Sequence, residues 1–137
     1  MSESYWEHIE AAYNDVSIYD GPEVLTDGLN KYPAYVADLF AAHWFLSEMS
    51  NGGISQFFYN PTGILATKAT TAFINLGLPK VAEALSSCIV KANVSDSSDF
   101  LPPEMFQEEE CAIYEVGGSD LGKIYDCMDS YAIKQGK

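Results

Sequence analysis

The stretch EMSNGGISQFFYNPTG, residues 48–63, sets the path of this chain more than any other part of the sequence. It follows a strongly apolar segment and combines glycines, a proline and three aromatic residues with little charge. Glycine or asparagine in a left-handed conformation commonly ends a helix and reverses the chain. We therefore expect residues 51–53 to end one helix, and Asn60 and Pro61 to form a second turn before the next helix.

The other residues of this stretch fit a structural joint. Amide side chains can satisfy the loosened backbone, and the aromatic side chains return the chain to the core. A buried amide cluster beside aromatic rings can also bind a small polar group, so a ligand site stays as the alternative. The residues of the motif are Asn51, Gly52, Gly53, Gln56, Phe57, Phe58, Asn60 and Gly63.

Apolar residues recur at helical spacing along almost the whole chain, and no stretch alternates with the period of a strand. The pattern predicts one all-α domain, residues 1–137, of about six helices. Residues 34–49 carry apolar side chains around nearly the whole circumference, which predicts a central, buried helix. The other predicted helical segments are residues 3–17, a short helix within 19–31, 65–76, 81–92, 103–116 and a last helix capped by Ser119.

The charge of the chain is strongly negative. It has 137 residues and a formal net charge of −13, and all seven of its basic residues are lysines. Such a surface would be repelled by phosphates, which argues against direct nucleic-acid binding. An odd number of cysteines without metal spacing, the lack of a basic and apolar leader, and the lack of an apolar run of ~20 residues predict a cytoplasmic protein outside the membrane.

Side chains suited to catalysis are scarce. The chain has two histidines, and no metal-binding, phosphate-binding or nucleophile motif surrounds either of them. We therefore expect no catalytic residue, no metal and no cofactor. The alternative is an enzyme or small-ligand binder that uses a pocket near His43, Gln56 and Asn60.

Glu109 has two interpretations. If residues 104–116 form one continuous helix, Glu109 lies on its apolar face, where burial would raise the pKa of the carboxyl, as in an acid–base site. The other interpretation is that the helix breaks or rotates near this position.

Acidic residues concentrate in the C-terminal part of the chain. Between Asp96 and Asp129 there are ten acids and a single lysine, Lys123. On a continuous helix, Glu104, Glu108 and Glu115 would fall within about 40° of one another. A solvated face that only confers solubility is the plain alternative. The acids expected to contact a partner are Glu104, Glu108, Glu109, Glu110, Glu115, Asp120, Asp126 and Asp129.

The pattern Asn-Gly-Gly-x-x-Gln-Phe-Phe-x-Asn-x-x-Gly at residues 51–63 resembles the hallmark of a bacterial all-helical family that includes a DNA-mimic protein. The resemblance continues through residues 72–77 and ends with an acidic and aromatic pair, Asp129 and Tyr131. It implies an all-α fold and an acidic surface that occupies the DNA-binding face of a transcription factor.

The sequence thus favours a non-enzymatic, acidic helical protein that binds a basic protein partner, with DNA mimicry as the specific hypothesis. The carboxylates would engage lysines and arginines that normally contact phosphates. The alternative function is an immunity-type inhibitor of a basic toxin, which would need the same acidic surface. A homodimer is compatible with the sequence.

Overall fold

The computed structural model describes residues 4–95 and 99–136, and every regular element within them is helical. The α-helices are α1 (Trp6–Asp15), α2 (Pro22–Leu29), α3 (Ala34–Gly52), α4 (Ile54–Tyr59), α5 (Ala66–Asn75), α6 (Pro79–Ser95), α7 (Gln107–Gly117) and α8 (Gly122–Gln135). Single 3₁₀ turns at Pro61–Leu65 and Pro103–Phe106 precede α5 and α7. No helix of the described segments is long and apolar enough to cross a bilayer.

The all-α prediction is confirmed, but the described residues contain eight α-helices rather than about six. One helix, α4, lies inside the motif. Its six residues stand between Gly53 and Pro61, and this segment was too short for the sequence pattern to predict a helix. Residue 3, the expected start of the first helix, and Asp96 among the expected acids lie outside the described residues.

Helix α3 is the centre of the molecule. Its side chains are buried on nearly all sides, and Phe40, Phe45 and Leu46 are fully inaccessible to solvent. It packs against α1, α4, α5 and α8. Full burial of one apolar side chain contributes about 1.5–3 kcal/mol to the stability of the fold. A helix with apolar side chains on all sides is therefore stable only when other helices pack around it.

The predicted helix over residues 103–116 is interrupted. Phe106, with φ −111° and ψ 12°, separates the 3₁₀ turn from α7. The side chain of Phe106 is fully buried and its ring stacks on that of Phe58, at a centroid distance of 5.5 Å. The 100° spacing of an α-helix therefore holds only from Gln107 onward. It still aligns Glu108 with Glu115, but it no longer places Glu104 on the same face.

The predicted cap of the last helix by Ser119 is wrong. Leu121 occupies the N-cap position instead, in the left-handed conformation with φ 62° and ψ 16°. This conformation costs a non-glycine residue about 1–2 kcal/mol. The Leu121 side chain is fully buried, and burial of a leucine offsets that cost.

A polar network joins α3 to α5 and α8. The Asp38 carboxylate in α3 is only 4% exposed, and Asn75 Nδ2 donates to its Oδ2 at 3.0 Å. The Tyr131 hydroxyl lies 3.5 Å from the same oxygen, and Lys68 Nζ lies 3.6 Å from Oδ1. Since an unpaired buried carboxylate is strongly unfavourable, these partners from two other helices fix how α5 and α8 lie against α3.

Replacing Asp38 with alanine should lower the free energy of unfolding by about 1–3 kcal/mol, because the Asn75 and Tyr131 groups lose their common acceptor. Urea denaturation followed by circular dichroism measures the change. The matched control is Asp27→Ala on the exposed side of α2, which should shift the free energy of unfolding by less than about 0.5 kcal/mol. Equal effects of the two substitutions would contradict the role given to Asp38.

Candidate functional site

The chain reverses between α3 and α4 at Gly53, which has φ 86° and ψ 172°. Its N–H donates to the Met49 carbonyl at 2.9 Å, and the next N–H, that of Ile54, donates to Glu110 Oε2 at 3.0 Å. A side chain on Gly53 would be strained by the positive φ, and its Cβ would lie 3.2 Å from that carboxylate oxygen. The predicted reversal is therefore made by Gly53, and Asn51 and Gly52 are the last residues of α3.

The Glu48 carboxylate holds the rest of the motif together. Its Oε2 accepts hydrogen bonds from Asn60 Nδ2 at 2.7 Å and from Thr62 Oγ1 at 2.9 Å. Its Oε1 accepts a longer one from Gln56 Nε2 at 3.4 Å. Two amides of the motif, Gln56 and Asn60, thus bind a carboxylate of the preceding helix, whereas Asn51 is exposed. The sequence did not predict this acceptor, because Glu48 has the pattern of an ordinary polar position near a helix end.

The remaining residues of the motif are set by packing. Phe57 is fully buried, and its ring meets that of Phe45 edge to face at 5.0 Å. A Cβ on Gly63 would lie 3.0 Å from the Phe58 carbonyl oxygen, which leaves no room for a side chain. A Cβ on Gly52 would meet the Gln56 side-chain amide, which is flexible and can move aside. Packing at Phe57 and Gly63 therefore gives the motif its structural role.

His43 lies in an aromatic cluster, five residues before Glu48 on α3. Its Nδ1 is 2.8 Å from the Tyr5 hydroxyl, and its ring contacts those of Trp6 and Trp44. Burial lowers the pKa of His43 to about 4, so the ring is neutral at neutral pH. Gln56 and Asn60 bind Glu48 instead, so the hydrogen bonds described do not join the three residues of the small-ligand alternative.

The predicted partner-binding acids divide into exposed and internal groups. Those with exposed side chains are Glu104, Glu108, Glu115, Asp120 and Asp126. Those with internal hydrogen bonds and partial or complete burial are Glu109, Glu110 and Asp129. Only the first group is presented fully to a partner.

Glu109 is 5% exposed and is held between α6 and α7. Lys91 Nζ lies 2.8 Å from its Oε2 and 3.1 Å from its Oε1, and Ser87 Oγ donates to Oε2 at 2.7 Å. Burial by itself would raise the pKa of Glu109, but the hydrogen bonds from Lys91 and Ser87 outweigh it and hold the pKa below its ordinary value. The raised pKa of an acid–base site is therefore absent, even though the side chain is buried as one interpretation expected.

Three further acids have backbone partners. Glu110 accepts the N–H of Ile54, and Asp129 Oδ1 accepts the N–H of Tyr5 at 2.7 Å. Asp120 Oδ1 accepts the N–H of Gly122 at 2.8 Å, which stabilises the start of α8 while the side chain stays exposed. Asp129 thus ties α8 to the start of α1.

Exposed carboxylates are confined to part of the fold. Over residues 4–95 and 99–136, thirteen acids are exposed, and none of them lies on α3, α4 or α5. The sequence pattern predicted the C-terminal acids but not those outside that stretch, whose only signal was a polar position on a helix face or in a turn. These additional exposed acids are Glu7, Glu10, Asp15, Asp20, Glu23, Asp27 and Glu83; Asp99 is also exposed.

The helices that carry these acids are consecutive neighbours in space. α6 packs against α7, and α7 packs against α8. α8 meets the start of α1 through the Asp129 hydrogen bond and through stacking of the Tyr5 and Tyr125 rings, 6.0 Å apart and nearly parallel. α1 in turn contacts α2. The acids of the two ends of the sequence therefore belong to one connected set of helices.

The ion pairs that the structure describes involve internal acids. Lys68 pairs with Asp38 and Lys91 with Glu109, so both cations compensate carboxylates that are buried. The exposed lysines of the described segments are Lys31, Lys80, Lys123 and Lys134. Four lysines against thirteen carboxylates leave the exposed surface strongly negative.

No group of three or more His, Cys, Asp or Glu side chains in this part of the chain is placed to hold a metal ion.

Comparison with known proteins gives a family match over most of the chain. Residues 30–130 match the family model described as DMP19-like protein. This range includes the whole residue 51–63 motif, α3 to α7 and the first part of α8. No curated protein and no solved structure matches the chain.

Replacing Glu48 with alanine should lower the free energy of unfolding by about 2–3 kcal/mol, because three donors lose their common acceptor. Chemical denaturation monitored by tryptophan fluorescence checks this. Glu48→Gln keeps one acceptor oxygen and should show a smaller loss. A Glu48→Ala variant as stable as the parent would contradict the structural role of the motif.

Replacing Glu109 with glutamine should lower stability by about 1–2 kcal/mol at pH 7, because a charge-assisted pair becomes a neutral one. The folded-state pKa of Glu109 lies below the unfolded value, so its stabilisation is present above about pH 4.5 and is lost as the pH falls through the folded pKa. Urea denaturation at pH 7 and pH 3 should therefore show the difference between parent and variant shrinking in acid. A difference that grows in acid would contradict the direction of the shift.

Proposed function

The chain belongs to the DMP19-like protein family, and we propose that it is a DNA mimic, an acidic protein-binding module that occupies the DNA-binding surface of a basic protein. The observation that carries the proposal is the excess of exposed carboxylates over exposed lysines on one connected set of helices. The partner would be a transcription factor or another protein with a basic DNA-binding face.

The division between internal and exposed acids supports this role. The described cations that form ion pairs compensate Asp38 and Glu109, which are buried, rather than the exposed carboxylates. An acidic surface without local compensation produces a potential that extends about one Debye length, ~8 Å at physiological ionic strength. Such a potential attracts a basic protein and accelerates the encounter.

The position of the exposed acids on α7 and α8 supports a surface that imitates phosphates. Glu108 and Glu115 are seven residues apart on α7, so they lie on nearly the same side of that helix, about 10 Å apart along its axis. Asp126 is exposed on the neighbouring α8. Carboxylates on two adjacent helices would engage lysine and arginine side chains that otherwise contact the two phosphate strands of a duplex.

A competition experiment tests this function. A basic protein captured from the host lysate at low salt is purified and bound to a labelled DNA duplex, and the present protein is then added. We expect displacement of the DNA, because both ligands would use the same surface. The triple variant E108Q/E115Q/D126N should compete about tenfold less well, which corresponds to the loss of three exposed charge pairs at about 0.2–1 kcal/mol each.

The matched control is D20N/E23Q/D27N, which removes the same number of charges from α2 and the turn before it. It should weaken competition less than about threefold, because these acids contribute to the long-range negative field but would not pair directly with the partner. A ternary complex of partner, DNA and this protein would contradict mimicry, and so would the absence of any basic partner in the captured fraction.

A further inference from the structure

The groove between α6 and α7 combines an apolar strip with exposed carboxylates. Its volume is about 380 Å³, and the small side chains of Ala84 and Ala112 line it. Glu83 of α6 and Glu108 of α7 also line it, and both are exposed. Lys80 contributes a positive charge to the same groove.

The exposed side of α6 extends this groove. Glu83, Ser87, Val90 and Val94 are spaced by four, three and four residues, so they lie within about 60° of one another on the helix. Val90 is 61% exposed and Val94 is 79% exposed. Two exposed valines in adjacent turns of one helix face form a small apolar patch that a partner could cover.

Exposed acids lie at the groove end of this apolar strip and near the level of Lys91. Lys91 Nζ donates to the Met105 carbonyl at 3.0 Å, so the turn that carries Glu104 lies beside the level of Lys91 on α6, next to Val90 and Val94 in sequence. Ser87 and Lys91 bind Glu109 at the base of the groove, which leaves Glu108, its neighbour, exposed on the α7 side. Three exposed carboxylates, Glu83, Glu104 and Glu108, thus accompany two exposed valines.

We propose that the α6–α7 groove and the strip of Val90 and Val94 form a docking site for an amphipathic basic helix of the protein partner. Apolar side chains of that helix would lie on the valines and the groove, and its lysines or arginines would meet Glu83, Glu104 and Glu108. Charge complementarity and the apolar strip favour this occupant, since a helix with one apolar and one basic face satisfies both. This inference rests on the proposed function. It adds an apolar contact with the partner, which a DNA duplex bound to the same partner would not make.

The charge of the groove explains why the anchor would select a basic helix. Lys91 compensates Glu109, so Lys80 is set against the exposed carboxylates of Glu83 and Glu108 in the groove and the sum is negative. An acidic or neutral helix would place its polar face against uncompensated carboxylates. A basic helix would pair with them while burying the valines.

Fluorescence anisotropy with a labelled peptide tests the site. The probe is a 14-residue peptide of leucine and lysine whose leucines recur at helical spacing, and the control peptide has the same composition in scrambled order. Two variants of the whole protein change the site: V90S/V94S removes the apolar strip, and E83Q/E108Q removes two of the charges. Their matched controls are V24S/I74S and E23Q/D27N, which change exposed residues on α2 and α5.

We expect the helical peptide to bind more tightly than the scrambled one. V90S/V94S should weaken binding about fivefold to tenfold with little change in its salt dependence, because the two valine surfaces together contribute about 1–1.4 kcal/mol. E83Q/E108Q should weaken binding about threefold or more and reduce the salt dependence. The two control variants should each change the dissociation constant less than twofold, and circular dichroism should show that all four variants are folded.

Two results would overturn the docking site while leaving the proposed function standing. One is equal loss of affinity in E83Q/E108Q and E23Q/D27N, which would mean that charge acts without a defined groove. The other is unchanged binding in V90S/V94S, or equal binding of the scrambled peptide. Failure of both peptides to bind even at low salt would count against the docking site and against the acidic protein-binding function together.

Discussion

The hydrogen bonds accepted by the Glu48 carboxylate are the interaction on which the arrangement of the central helices depends. α3 is buried on almost all sides, and the chain changes direction sharply at its exposed end. Gly53 makes the reversal, and Glu48 then gathers the side chains of Gln56, Asn60 and Thr62 from the segment that follows. Without this acceptor, three polar groups at the edge of the core would lack their partner, and each such loss is unfavourable by about 1–3 kcal/mol.

Buried and exposed carboxylates have different roles in this protein. Inside, each described acid with a buried side chain has cationic and neutral donors: Lys68 and Asn75 for Asp38, and Lys91 and Ser87 for Glu109. Outside, carboxylates outnumber lysines about three to one over the described surface. The internal acids stabilise helix packing, and the exposed acids are left to create the negative field. This separation lets one acidic composition serve both the fold and the proposed binding of a basic protein.

Much of the fold follows from the sequence, because helical periodicity reports directly which face of a helix is buried. The pattern of α3 predicted a central helix, and the glycines of the motif predicted the reversal that Gly53 makes. The sequence did not reveal α4, since six residues between a reversal and a proline give too short a pattern. It also did not reveal Leu121 as the cap of α8, because a left-handed leucine is stable only through burial against the rest of the protein.

The candidate surface was less predictable than the fold. Composition identified the acidic C-terminal part, but burial separates Glu109 and the half-buried Glu110 from the exposed Glu108, and periodicity across an interrupted helix cannot fix that assignment. The acids of α1 and α2 join the surface through the contact of Tyr5 with Asp129, which links positions 124 residues apart. A contact of that kind depends on tertiary structure and leaves no local pattern.

The central claim is that association with the partner is driven by exposed carboxylates, and its salt dependence tests the claim most directly. The dissociation constant of the complex with the captured basic protein is measured by isothermal titration calorimetry between about 50 and 300 mM sodium chloride, a range over which the Debye length falls by about half. The account predicts that affinity falls steeply and continuously across this range, and that the parent protein depends on salt more strongly than E108Q/E115Q/D126N. An affinity that stays constant over the whole range would contradict it.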